Sequence, residues 1–188
     1  MMRAESMEGG FQNPPVDAAI AFRAALDAMS RPGKVHTVAG ATAPRPLSRA
    51  AACLALTLCD PDTPVWLAPS VAGQGVQDWF RFHTGAPICD RVSAQFAFGC
   101  WDEMLPLDDF PIGTPDYPDR SATLIVEVPD LGSEHRLTGP GIRDEAWLTV
   151  PSPAVFQSNG SLFPQGLDFF LTCGEQLAGV PRTTRVEA

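Results

Sequence analysis

Arg81, His83 and Thr84 lie together in "RFHTGAP", and Arg182, Thr183, Thr184 and Arg185 in "PRTTRVE" close to the C-terminus. Each string sets cationic and hydroxyl side chains within a few residues of one another, the donors that grip a phosphate or a carboxylate. Each also has a plain structural reading. His83 closes the apolar stripe of a helix, where the negative end of the dipole favours a cationic ring. Arg81 falls on a different face of that helix, and Thr84 and Gly85 suit the turn that stops it. Pro181 cannot donate to a ladder, so it marks a strand end or an edge. If the chain runs on extended past it, Arg182 and Arg185 point to opposite faces. One guanidinium can then pair internally with a carboxylate while the other turns outward to an anion or a partner.

Cys173, in "LTCGEQ" ahead of a tight turn, is a nucleophile candidate with His83 or His135 as base. Spacing places neither histidine beside it, and a packed thiol at a strand end is the plainer reading. A stand-alone hydrolase of an anionic substrate, using Cys173 or His83, is one function to carry forward. Gly139, Pro140 and Gly141 in "HRLTGPGI" make a sharp bend that reads first as a structural corner. There is no Gly-x-x-x-x-Gly-Lys-Ser/Thr loop, and "AGQG" lacks the lysine that reaches phosphates. Cys-x-x-Cys pairs are absent and His36, His83 and His135 lie far apart, so no metal site is expected. Among 13 basic residues Lys34, in the turn "RPGKV", is the sole lysine. Any Schiff-base chemistry rests on that one amine.

The elements that must position these residues alternate early and pair late. "NPPVDAAIAFRAALDAMSRPG" reads as a helix with Val16, Ile20, Phe22, Leu26 and Met29 as its apolar stripe. "KVHTV" is a short strand. "PLSRAAACLALTLCD" is a second helix with Leu47, Ala51, Leu54 and Leu58 on one face, and "VWLA" a buried strand. "QGVQDWFRFHTGAP" is a third helix with Val76, Trp79, Phe80 and His83 on one stripe. "QFAFGCW" is a strand, followed by a short helix or turn and an exposed loop over 102–120. From residue 122, "ATLIVEV" with "EHRLTG" and "FFLTC" with "LAGVP" read as two antiparallel hairpins. The sum is α/β: a mixed sheet flanked by helices.

Totals narrow the class. The 188 residues suit a flexible tail over 1–10 and one domain over 11–188. A net charge of -9 disfavours nucleic acid. No stretch is long and apolar enough for a membrane span, and "MMRAESMEGG" has no secretory core, so a cytoplasmic chain with reduced cysteines is expected.

The strings "FRAALDAMSRPGKV", "DPDTPVWL", "RFHTGAP", "LTGPGI" and "FPQGLDFFLTCGEQLAGVPRTTRVE" together resemble the H subunit of the bacterial carbon–phosphorus lyase system, from about residue 11 onward. That resemblance implies a three-layer α/β/α fold similar to pyridoxal-phosphate-dependent transferases, with the cofactor lost. It implies a homodimer that joins the G, I and J subunits in a core complex. It further implies a non-autonomous role, with the G, I and L subunits, in displacing adenine from ATP by a phosphonate to give ribose 1-phosphonate 5-triphosphate. The family carries no established catalytic residues. Arg81, His83, Thr84, Arg182, Thr183, Thr184 and Arg185 are therefore expected as anion- or partner-facing positions, with a pure assembly scaffold as the further alternative.

Overall fold

Four runs rich in branched and aromatic residues, "VWL", "FAFGC", "TLIVE" and "DFFLTC", are flanked by turn residues and become the parallel centre of a six-stranded sheet. The computed structural model describes residues 8–187. In chain order they form β1 (Gly10–Phe11), α1 (Pro14–Ser30), β2 (His36–Thr37), β3 (Ala41–Thr42), α2 (Arg49–Leu58) and β4 (Val65–Leu67). Then come α3 (Gln74–His83), β5 (Phe96–Cys100), α4 (Trp101–Met104), β6 (Thr123–Glu127), β7 (His135–Thr138) and β8 (Ala146–Leu148). The chain closes with α5 (Pro153–Gly160), β9 (Asp168–Cys173), β10 (Gln176–Val180) and β11 (Arg185–Glu187). Residues 1–7 of the expected tail lie outside the described residues, and Gly10 at its end pairs with Thr42 of β3.

The large sheet runs β2-β10-β9-β6-β5-β4. β4, β5, β6 and β9 are parallel, while β10 and β2 each run antiparallel to their neighbour. Alternation along the strands sends Phe98, Ile125, Phe170 and Leu177 to one face. There they meet α1, α2 and α3, among them buried Trp79 and Phe80. Leu124, Val126, Phe169 and Leu171 point the other way. That second face is covered by a three-stranded antiparallel sheet, β11-β7-β8, and by α5. The chain is thus mixed α/β with helices on one face, and the expected helical layer on the other face is largely a small sheet.

Three sequence expectations are corrected. The helix α1 does not bury Val16, Ile20, Phe22 or Leu26; these are half exposed or more, and Ala21, Ala25 and Ala28 are buried in their place. The cause is proximity. A Cβ on Gly179 of β10 would stand 2.6 Å from the Ala28 carbonyl oxygen, so the helix lies too close to the sheet for any larger side chain. Second, "ATLIVEV" and "EHRLTG" are not a hairpin: β6 sits between β5 and β9, and β7 between β11 and β8. Continuous burial of Leu124 to Val126 marks a strand covered on both faces, while β7 buries Leu137 alone. Third, β10 stops at Val180; a turn with Thr184 N–H donating to the Pro181 carbonyl at 2.9 Å then carries the chain into the other sheet. The expected β9–β10 hairpin is present.

Candidate functional site

That crossing builds a cleft. β11 pairs with β7 from Arg185 opposite Thr138 to Glu187 opposite Arg136. α5 packs beside it, with the Gln157 side-chain amide donating to the Val186 carbonyl at 2.8 Å. Asn159, buried, fixes the far end of α5 by exchanging two hydrogen bonds with the Leu167 backbone, at 2.9 and 2.8 Å. Between these elements opens a cavity of about 730 Å³, lined by Gly139, Pro140, Phe156, Phe163, Thr183 and Arg185 among others. Gly139 has a φ of +128°, and a Cβ there would stand 2.9 Å from the Thr183 carbonyl oxygen, so the wall closes tightly because this corner carries no side chain.

The two arginines of "PRTTRVE" have different fates. Arg182 is inward and saturated. Its side chain bonds both oxygens of Asp168, at 3.2 and 2.6 Å, and the carbonyls of Pro118 and Pro164, at 2.9 and 3.3 Å. It also donates to the Ser121 hydroxyl at 2.5 Å. With all of its N–H directions engaged, it ties β9 to the loop before β6 and has none left for a ligand. Arg185 is exposed and makes no ion pair among the described residues. Thr184 is 4 % exposed and its Oγ1 has no hydrogen-bond partner among them. The cleft therefore offers one unengaged cation above partly apolar walls, which suits an anion or an acidic segment bearing apolar atoms.

"RFHTG" is a separate place. Among the described residues none of it lines that cleft. Arg81 reaches back along α3 to Asp78 at 3.6 Å and to Gln77 at 3.3 Å. Thr84 is buried as a cap: its hydroxyl donates to the Phe80 carbonyl at 2.7 Å and accepts from the Ala86 N–H at 3.0 Å. The His83 ring packs between Trp79 and Phe82, centroids 5.1 and 4.9 Å away, with Gly10 against it.

No nucleophile is assembled around Cys173. Its Sγ donates to the Pro129 carbonyl at 3.2 Å, and no histidine is among its described partners. The His135 Nδ1 instead accepts from the Val150 N–H at 3.2 Å. Burial pushes the Cys59 thiol up to about 12 and raises Cys53 and Cys89 as well, which keeps these three inert at neutral pH. Lys34 is held by Asp27 at 2.7 Å, in a cluster with Arg31 and His36 at the end of α1. Its hydrogen bond is the first cause of a lowered Asp27 pKa. Burial, then Lys34, lowers that of His36.

Sequence reasoning missed Glu127. It ends β6 at the carboxyl edge of the parallel strands, where α/β folds commonly place ligands. Its Oε1 accepts from the Ser48 N–H at 2.8 Å, and its Oε2 from the Thr172 hydroxyl at 3.0 Å. Burial raises its pKa against those hydrogen bonds. An acid closing a buried run, "TLIVE", was its signal in the sequence. Helix α5 was missed as well, although "SPAVFQ" offers a serine N-cap ahead of a proline in the first turn.

The comparisons with known proteins cover most or nearly all of the chain. Residues 9–187 match the family described as bacterial phosphonate metabolism protein (PhnH). The chain is 40 % identical over 198 aligned positions to the alpha-D-ribose 1-methylphosphonate 5-triphosphate synthase subunit PhnH of Rhizobium meliloti (strain 1021), covering 99 % of each protein. It is 29 % identical over 173 positions to the "Putative C-P lyase subunit protein HtxG" of Stutzerimonas stutzeri, covering 88 % of this chain and 84 % of that one. With a family match from end to end and a relative at this identity, the chain belongs to the bacterial phosphonate metabolism protein (PhnH) family.

Proposed function

We propose that this chain is a non-autonomous subunit of the assembly that makes alpha-D-ribose 1-methylphosphonate 5-triphosphate in phosphonate catabolism. The observation that carries the reading is the 40 % identity to a synthase subunit over 99 % of both chains. The site geometry agrees: Cys173, His83 and His135 are dispersed into separate packing roles, and among the described residues the cleft lining holds Arg185 and the engaged Arg182 but no histidine, cysteine or carboxylate. A hydrolase built on Cys173 or His83 loses its support on the same ground.

In this reading the chain is a cytoplasmic homodimer that joins the G, I and J subunits, with the L subunit needed for turnover. Arg185 and Thr183 face an anion or an acidic partner segment across the cleft. The mixed central sheet supports a scaffold similar to the pyridoxal-phosphate-dependent transferases. Lys34, tied to Asp27 on an outer turn, supports the view that this scaffold has given up Schiff-base chemistry. Affinity co-purification tests the reading: the tagged chain should bring down the other subunits, and Arg185→Glu should weaken that capture or the growth on methylphosphonate. Capture and growth that both match wild type would remove the cleft from the account, and a wild-type chain that captures no subunit would remove the complex.

A further inference from the structure

β11 is an outer strand of the small sheet and pairs with β7 on one side alone. Residues of an antiparallel ladder alternate between pairs that exchange backbone bonds and pairs that do not. The Val186 carbonyl accepts from the Gln157 side chain at 2.8 Å, so it turns away from β7. The N–H of a strand residue points to the same side as its carbonyl. That of Val186 has no hydrogen-bond partner among the described residues. Such an edge is a template for another strand. Helix α5 stands across from it, and the cleft of about 730 Å³ lies between strand and helix.

We propose that an extended acidic segment of another subunit lies in this cleft and adds a strand to β11. The proposal rests on the complex reading above and names the surface and the kind of segment it takes. A groove between an edge strand and a helix is a recurrent seat for an added strand, in which main-chain bonds give affinity and alternate side chains give specificity. Gln157 holds the place of the incoming chain, since its amide bonds the Val186 carbonyl as a strand N–H would. The Gln157 side chain is exposed and free to swing aside. The incoming backbone then donates to that carbonyl and accepts from the Val186 N–H.

Charge selects the segment. The chain carries -9 overall, yet among the described residues the charged side chains lining the cleft are two arginines and no acid. Arg182 is engaged by Asp168, and Glu187, on the outer side of β11 with Arg185, is bonded to Arg136 at 2.9 Å. Arg185 remains, and it takes one carboxylate on the outer side of the added strand. The next residue of that strand points inward, where buried Val186 and Phe156 form an apolar floor. The segment therefore sets an acidic residue beside a large apolar one. A small polyanion is served poorly by a single cation on a chain of this net charge.

Hydrogen exchange at single-amide level, read by mass spectrometry on the full chain alone and in the co-purified complex, tests the added strand. The Val186 amide should slow roughly tenfold or more on entering the complex. Arg185→Glu, and separately Ser161→Glu at an exposed position of the lining, should each weaken capture of the other subunits about tenfold at an unchanged melting temperature. A Val186 amide that exchanges alike in the lone chain and the complex overturns the proposal, and so does wild-type capture by either variant. Should a variant fail to fold, Val186 exchange in the wild-type complex still decides. Slowing in the lone chain on concentration would mean that a second copy fills the cleft. Slowing by methylphosphonate or inorganic triphosphate alone would mean that a small anion does. Either result overturns the proposal. A wild-type chain that captures no subunit removes the complex reading and this surface with it, whereas an unprotected Val186 in a captured complex removes this surface alone.

Discussion

Arg182 and Arg185 sit three residues apart in one short string, yet they do opposite work. Arg182 is a largely buried clamp on Asp168 with 11 % of its side chain exposed, and Arg185 is a solvated cation at a cleft mouth. Removing one partner of a buried, hydrogen-bonded ion pair leaves the other charge uncompensated, so Arg182→Ala should cost about 3 kcal/mol. For a chain of this size that is a fall of roughly 10 °C in Tm, read by calorimetry. Arg185→Ala should stay within about 0.5 kcal/mol of wild type, as surface changes do, and should show its effect in subunit capture or phosphonate-dependent growth. Equal loss of stability in both variants would contradict the division between clamp and contact residue. The sequence left room for one guanidinium inward and one outward on the premise of an extended chain, but it is the turn over Pro181–Thr184, not strand alternation, that separates them. The sequence could not say which, because the choice depends on Asp168 of β9, the neighbour that β11 leaves behind when it crosses to the other sheet.

The most informative element is α1, whose periodicity was read correctly as helical and incorrectly as to its buried face. Hydrophobicity alone assigns the large residues to the core. Here the approach distance decides instead, and Gly179 beneath Ala28 admits only alanine. Gly179→Ala should push the helix outward and destabilise the chain by about 2 kcal/mol, measured as a shift in the urea midpoint with little change in m. A neutral result would mean that α1 does not rest on β10 in the way described. The same limit explains the false hairpin: neighbours in sequence are not neighbours in space here, because the covered run of β6 needs strands on both sides. Strand and helix positions in the first hundred residues were largely legible from local pattern. The cleft was not, since its walls come from Gly139, α5 and β11, which only the tertiary fold brings together.

At the scale of the whole molecule, one half-buried carboxyl sets a pH dependence of its own. Glu127 has a raised pKa in the folded chain because burial disfavours its charge. The folded state then holds a proton that the unfolded state releases, in the interval between the ordinary carboxylate value and the folded one. Its contribution to stability is complete below that interval and is lost as pH rises through it. Glu127→Gln, always neutral, with its amide oxygen accepting from the Ser48 N–H and its amide nitrogen donating to the Thr172 hydroxyl, should be more stable than wild type at about pH 7.5, with the advantage shrinking toward about pH 4. Urea midpoints at the two values give the comparison, and an advantage that grew on acidification would reverse the assignment.

The larger claim is that this fold contributes shape and surface to a multi-subunit synthase. Its most direct test is product formation from ATP and methylphosphonate, followed by phosphorus NMR, with the purified chain alone and with the other subunits added. The chain alone should release no adenine and form no ribose 1-methylphosphonate 5-triphosphate, and the complete set should form it only when this chain is present. Turnover by the isolated chain, or full turnover by the other subunits in its absence, would contradict the account.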